Sequence, residues 1–245
     1  MGKIEILGVQ IDDFSEAEVM SLIQAQISHG KKFWVTTPNP EFLVEAQNSE
    51  GFRKLLNESD LAVPDGIGLV LASNFLGTKP RIKKRITGAD LVGQILAATT
   101  SNNWSIGLAG ARAGDSKERA ELIANLKIRF PGLKIENTEE IRDWQEKEYD
   151  FIFACQGMGK QERWIRQNKG ESQAKVFIGI GGALDFYGGM AKRAPKFLRN
   201  IGLEWAWRLT QRPKSHSRRV YRAFIQFGLL VLKEKYASLG RKDIV

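Results

Sequence analysis

Short apolar runs alternate with helix-spaced apolar positions along most of this chain, the pattern of βα units wound into a mainly parallel sheet with helices on both faces. The runs Lys3 to Leu7, Lys32 to Thr36, Leu61 to Val63, Trp104 to Ala109, Tyr149 to Ala154 and Lys175 to Ile180 predict strands. Over Ser15 to Ser28, Val19, Leu22, Ile23 and Ile27 recur at helical spacing, with Ser15 as N-cap and Glu18 completing a capping box. Asp115 and Glu118 open a second such helix through Leu122, Ile123 and Leu126, which Pro131-Gly132 closes. After Gly188-Gly189 the strand pattern stops and only helical spacing follows, broken at Pro213. The expected organisation is a Rossmann-like α/β core over residues 1–195 and a helical appendage over residues 196–245, with no internal repeat or low-complexity segment.

Charge sharpens that boundary. Met190 to Val245 holds 14 Lys+Arg against 3 Asp+Glu, a net of +11, whereas the whole chain is +9; the part before Met190 is therefore −2. The basic segment interleaves its charges with Phe197, Leu198, Ile201, Trp205, Trp207, Phe224, Phe227 and the run Leu229 to Leu232, so it is expected to fold or dock on a surface both anionic and partly apolar. At 245 residues and 42% hydrophobic content the chain can bury a full core without staples. One cysteine, Cys155, excludes an internal disulfide, and His29 and His216 leave little for a zinc cluster. Met1 to Val9 reads as a strand rather than a secretory signal, which predicts a cytoplasmic protein. Phe227 to Leu232 is far short of the roughly 20 apolar residues that span a bilayer, so any membrane contact is expected to be peripheral.

In open parallel sheets ligands bind beyond the carboxyl ends of the strands, and four segments stand there. Thr36 to Phe42 carries two prolines that hold Thr37 and Asn39 extended toward the crevice, or that simply turn the chain into a helix. Val63-Pro64-Asp65-Gly66 is a good turn sequence, and it also presents a carboxylate as a general base is presented to a substrate hydroxyl. The glycine-rich Gly107 to Gly114, with Gly110 at its centre, suits either phosphate binding or tight packing, and it lacks the P-loop and G-x-G-x-x-G spacings. The fourth is paired: Gln156 to Glu162, where Gln161 and Glu162 fit a base or ribose, and Gly179 to Asp185, where Gly181 and Gly182 let the backbone approach a nucleotide. In both, a solvated helix start and plain turns are the bland alternative.

No G-x-S-x-G, H-E-x-x-H or Cys-His pair suggests a hydrolase, and no Asp-x-Asp suggests a metal-held diphosphate. Anionic leaving-group charge would then fall to Arg, Lys, backbone amides or a helix terminus. Arg218 and Arg222, four apart, and Arg219 and Arg222, three apart, form one cationic helix face beside Tyr221, Phe224 and Phe227.

The segments TPNPEFLVEAQ, VPDGIGLVLAS, KRITGADLV, GKQERWI and GGALDFYGGMAKRAPKFLRNIGLEWAWRLTQRPK resemble, in order and over nearly the whole chain, the WecG/TagA/CpsF glycosyltransferases. The resemblance implies an inverting, metal-independent enzyme that moves N-acetylmannosamine, or its uronic acid, from UDP to polyprenyl-diphosphate-linked N-acetylglucosamine for cell-wall or surface polysaccharides such as teichoic acids. It implies no cofactor beyond the UDP-sugar substrate, and an appendage that contacts the inner face of the plasma membrane. By motif, Asp65 takes the role of base, Thr37 and Asn39 stand beside it, and Arg85, Gln161 and the appendage arginines Arg212, Arg219 and Arg222 contact substrate or leaving group. The chain departs from the family in having Gly159 where proline is frequent and in lacking a Gly-Tyr-Phe loop between Ile135 and Tyr149. Two other classes fit the basic tail by itself: a nucleic-acid platform, for which the near-neutral body shows no recognition motif, and an oligomerisation arm on a soluble UDP-sugar enzyme.

Overall fold

A computed structural model describes residues 3–112, 114–211 and 213–240. Six strands, β3 (Phe33–Thr36), β4 (Leu61–Ala62), β5 (Ser105–Ala109), β6 (Lys134–Asn137), β7 (Phe151–Ala154) and β8 (Val176–Gly179), form one all-parallel sheet in the order β4-β3-β8-β7-β5-β6. The period of two along each strand divides the core. Val35, Phe151, Phe153, Val176 and Ile178 pack on one face with α1 (Glu16–His29), α5 (Gly88–Asn102) and α6 (Ser116–Arg129). Trp34, Ile152, Ala154 and Phe177 pack on the other with α2 (Pro40–Asn48), α3 (Glu50–Asn57), α4 (Ile67–Leu76) and α7 (Lys160–Asn168). Because both faces are covered, β7 and β8 are buried at every position, and these are the runs most visible in the sequence. The fold is thus the Rossmann-like α/β sheet expected.

Three local expectations need correction or extension. The run Lys3 to Leu7 does not enter the main sheet. Ile4–Ile6 (β1) instead pairs antiparallel with Val9–Ile11 (β2) in a separate ribbon, the chain reversing at Leu7 and Gly8, both at positive φ. Neither β2 nor β6 stands out by pattern, since β2 is three residues long and β6 is an edge strand whose Lys134 and Glu136 are exposed. The Ser15 capping box is present, with Glu18 Oε2 accepting from Ser15 N at 2.7 Å, and Asp115 caps α6 by accepting from Glu118 N at 2.9 Å.

Beyond β8 the described chain is helical: α8 (Leu184–Tyr187), α9 (Lys196–Asn200), α10 (Glu204–Gln211), α11 (Pro213–Val220), a π-helical stretch Tyr221–Gln226, and α12 (Phe227–Gly240). The break expected at Pro213 adjoins Arg212, which lies outside the described residues; helix is described up to Gln211 and from Pro213 onward. This tail is packed on the core rather than held away from it. Phe227 and Val231 are buried with the α2 and α4 side chains, Glu234 accepts from Leu7 N at 3.2 Å, and Lys235 Nζ donates to Leu76 O at 3.2 Å. At the junction, the Asp90 carboxylate holds both Arg193 (2.8 Å) and Arg199 (3.3 Å). Burial pushes the Asp90 carboxyl up, but hydrogen bonds from Arg193 and Thr87 and the two guanidinium charges outweigh it and hold it below the usual carboxylate range. No helix among the described residues is long and apolar enough to cross a membrane.

Candidate active site

The carboxyl ends of β3 and β4 are tied into one unit by backbone bonds. Val63 N donates to Thr36 O at 2.8 Å, and Asp65 N donates to Pro38 O at 2.8 Å. Gly66 then turns the chain into α4 with φ 103, a conformation that favours glycine and lets the helix start immediately after Asp65. Across the crevice α5 begins with Gly88, where a β-carbon would stand 3.3 Å from Thr37 Oγ1 and 3.5 Å from Asp65 Oδ2. Thr37 and Asp65 therefore converge on Gly88 in the first turn of α5, which Thr87 caps by accepting from Asp90 N. Asn39 has a double position: its Oδ1 caps α2 by accepting from Glu41 N at 2.9 Å and Phe42 N at 3.3 Å, so it is the amide group that the side chain has left to offer the crevice.

Two clefts meet here. A polar one of about 390 Å³ runs along the ends of β3, β7 and β8 and is lined by Thr37, Gln161, Gly181, Gly182, Asp185 and Lys192 among others. An apolar one of about 170 Å³ lies between α2, the start of α4 and the tail, with Arg85 and Thr87 in its wall. Asn39, Glu41, Asp65, Ala89 and Arg219 line both, so Asp65 stands at the junction.

The expected binding residues divide into those that face a cleft and those that hold others in place. Gln161 lies in the polar cleft and accepts from Gly181 N at 3.0 Å through Oε1 while donating to Glu162 Oε1 at 2.7 Å through Nε2. Glu162 is 1% exposed and its other oxygen accepts from Gly159 N, a capping-box bond at the start of α7; it is a support for Gln161 and does not reach the cleft. Burial drives the Glu162 carboxyl above the usual range, against the hydrogen bonds that favour its ionised form. Gly110 lines neither cleft. Its N–H donates to Glu139 Oε1 at 3.0 Å, Glu139 is held by Arg119 at 2.8 Å, and a β-carbon at Gly110 would meet the Gln156 side chain at 2.5 Å. The glycine-rich segment is thus a tightly packed turn with its central amide already used.

The tail supplies one wall. Arg219, from α11, sends Nε (2.9 Å) and Nη2 (2.8 Å) to Glu41 Oε2 at the junction of the clefts. Arg222 pairs with Glu45 one helical turn further along α2, outside both clefts. Arg85 lines the apolar cleft and its guanidinium donates to the Arg199 carbonyl. Arg212 lies outside the described residues. Four polar side chains of the polar cleft were given no role of their own from sequence: Glu41, Asp185, Lys192 and Gln211. Asp185 closes the Gly179 to Asp185 segment and is paired with Arg112 at 3.1 Å, and Lys192 sits among the charges that open the basic tail. Among the described residues no group of three or more His, Cys, Asp or Glu side chains is placed to hold a metal ion.

An enzyme of the Staphylococcus aureus strain MRSA252, an N-acetylglucosaminyldiphosphoundecaprenol N-acetyl-beta-D-mannosaminyltransferase, is 28% identical over 219 residues, covering 84% of each chain. The protein of the same description from strain NCTC 8325 is 28% identical over 217 residues, again with 84% of each covered. Residues 4–241 match the glycosyl transferase WecG/TagA/CpsF family. With a match over nearly all of its length, tail included, the chain belongs to the WecG/TagA/CpsF family of glycosyltransferases.

Proposed function

We propose that this glycosyltransferase moves N-acetylmannosamine, or its uronic acid, from UDP to a polyprenyl-diphosphate-linked N-acetylglucosamine, with inversion and without a metal, and that Asp65 is the general base. The observation that carries the reading is the position of Asp65, a strand-end carboxylate on the border of a polar and an apolar cleft, where the other bordering carboxylate, Glu41, is engaged by Arg219. The polar cleft suits the UDP-sugar: Gln161, Gly181 and Gly182 face it from the strand ends, Lys192 brings positive charge, and Arg219, held by Glu41, stands at its border. Asp65 takes the proton of the acceptor hydroxyl as that oxygen attacks the anomeric carbon, and the bond to UDP breaks on the opposite side. The relatives named above are described as acting on a diphosphoundecaprenol-linked acceptor, which supports the acceptor class. UDP release by Asp65→Asn is the test: loss of about 100- to 10,000-fold is expected, and activity within a few-fold of wild type in a folded protein removes Asp65 from the role.

The partner of the tail is, on this reading, an anionic membrane surface. Phe197, Ile201, Tyr221, Ile225, Leu229 and Tyr236 are exposed on the tail, and Leu71 and Phe75 of α4 are exposed on the core. Each nearby Lys or Arg adds about 1 kcal/mol of attraction to anionic lipid. Flotation with phosphatidylglycerol vesicles, weakened by salt, is the expected result; equal flotation with neutral vesicles would argue for a purely apolar contact, and none at all would end the proposal.

A further inference from the structure

We infer that the apolar cleft is the seat of the first prenyl units of the acceptor, those adjoining its diphosphate. The inference rests on the function proposed above and gives its second substrate a place. The cleft has one wall from the core, Pro40, Ile67 and Gly68, and one from the tail, Trp205, Ala223 and Phe224. Its polar lining includes Asp65, shared with the other cleft, the cations Arg85 and Arg219, and the carboxylates Glu41, which holds Arg219, and Glu204. Its tail wall belongs to an apolar surface: Phe224 is 40% exposed, and Leu203, Ile201, Tyr221 and Ile225 are exposed on the same segments. A ligand that joins an apolar chain to an anionic link and a sugar hydroxyl matches a mostly apolar lining that also contains Asp65, Arg85 and Arg219. At about 170 Å³ the space is too small for a nucleotide or a whole lipid tail, and it suits a short stretch of chain.

The walls are close-packed, so the shape is set before any ligand arrives. A β-carbon at Gly68 would stand 2.7 Å from Pro40 Cγ, and one at Gly202 3.1 Å from Ile67. Trp205 and Phe224 meet with ring centroids 4.4 Å apart and form an aromatic corner against which a flat, unsaturated prenyl unit packs. The cleft leads directly to Asp65, so binding energy from the chain is available to position the sugar hydroxyl.

Two measurements test this. In the first, kcat/KM is compared for farnesyl-diphosphate-GlcNAc and ethyl-diphosphate-GlcNAc, with detergent and vesicles absent. Wild type is expected to favour the farnesyl acceptor by about 10-fold or more, and Ala223→Phe or Val220→Phe, which fill the cleft, are expected to abolish most of that ratio. A ratio unchanged in both variants overturns the inference. The second uses the wild-type chain and needs no turnover: a diazirine-bearing prenyl-diphosphate-GlcNAc is photolysed and the labelled peptides are identified. Label at residues 202–205 and 220–224, displaced by farnesyl-diphosphate-GlcNAc, supports the seat; label elsewhere, or label displaced equally by a diacyl phospholipid, overturns it. If wild type labels at this cleft but releases no UDP from any UDP-sugar offered with the acceptor, it is the proposed reaction that fails and not the lipid seat.

Discussion

Glu41 and Glu45 stand one turn apart on α2, and each holds one arginine of the tail, yet only the first pair lies in the clefts. The two bonds from Arg219 converge on a single carboxylate oxygen, at side-chain exposures of 11% for Glu41 and 51% for Arg219. Such a half-exposed pair lies nearer the surface limit than the buried one, so its charge contributes about 1 kcal/mol. Glu41→Gln keeps an acceptor oxygen and removes the charge; about 1 kcal/mol corresponds to a roughly 5-fold fall in the equilibrium constant for seating Arg219. If Arg219 meets the charge on departing UDP, kcat falls by up to that factor while the KM for the UDP-sugar changes little, because the contact grows as the bond breaks. Glu45→Gln is the control: it weakens the Arg222 clasp between tail and core by a similar amount but leaves kcat unchanged. In the double variant Glu41→Gln/Arg219→Ala, the loss should not exceed that of Arg219→Ala alone. Equal effects of Glu41→Gln and Glu45→Gln on kcat would refute the reasoning and leave both pairs as tethers. A fall in donor KM at unchanged kcat would refute it differently, by showing that Glu41 competes with phosphate for Arg219.

Two further outcomes follow from the geometry. Gly88→Ala places a β-carbon 3.3 Å from Thr37 Oγ1 and 3.5 Å from Asp65 Oδ2, so kcat should drop about 10-fold through displacement of the site, with thermal stability unchanged or slightly higher; wild-type kcat would mean that these side chains tolerate the shift. Glu234 is raised by burial, against its bond from Leu7 N, with Glu5 adding to the rise. A raised carboxyl gives stability that is present below its unfolded value of about 4.3 and is lost as pH climbs through its folded value, so Glu234→Gln should raise Tm at pH 7, with the gain vanishing near pH 4. A gain that instead grew toward pH 4 would contradict the sign.

The parallel sheet was legible because its inner strands are covered on both faces and therefore apolar throughout, as in Phe151 to Ala154. Where a strand has an exposed face the pattern thins: Lys134–Asn137 alternates exposed and buried positions and passes for a loop. The strand-end rule also located Thr37, Asn39, Asp65, Gln161, Gly181 and Gly182 in the clefts, since position after a strand is a local property. It misled at Gly110, which follows a strand equally well but whose amide is taken by Glu139, brought in from another turn. Glu162 was readable in a different sense, since its spacing from Gly159 is that of a capping box, which turns the carboxylate inward. Glu41 lies inside the strand-end segment Thr36 to Phe42 but had no signal of its own. It reads as an ordinary acidic residue in a first helical turn, and its partner is 178 residues away.

The segregation of charge, −2 before Met190 and +11 after it, first suggests a tail that waits for an external anion. The contacts argue for a different division of labour. Arg193 and Arg199 share Asp90, Arg219 takes Glu41 and Arg222 takes Glu45, so four of the tail's cations are already met by core carboxylates. Phe227 and Val231 add apolar burial on α2 and α4, and fully burying each such side chain contributes about 1.5 to 3 kcal/mol. The tail is therefore seated, and the wall it gives to the apolar cleft is built, before any lipid is encountered. Truncation after Arg193 would strip that wall and uncover the core together, so it cannot separate anchoring from catalysis, whereas the Glu41 and Glu45 variants can. On the function proposed above, what is left for the membrane is delivery: the exposed apolar side chains of the tail and α4 would bring the open cleft to the plane in which a prenyl-linked acceptor resides.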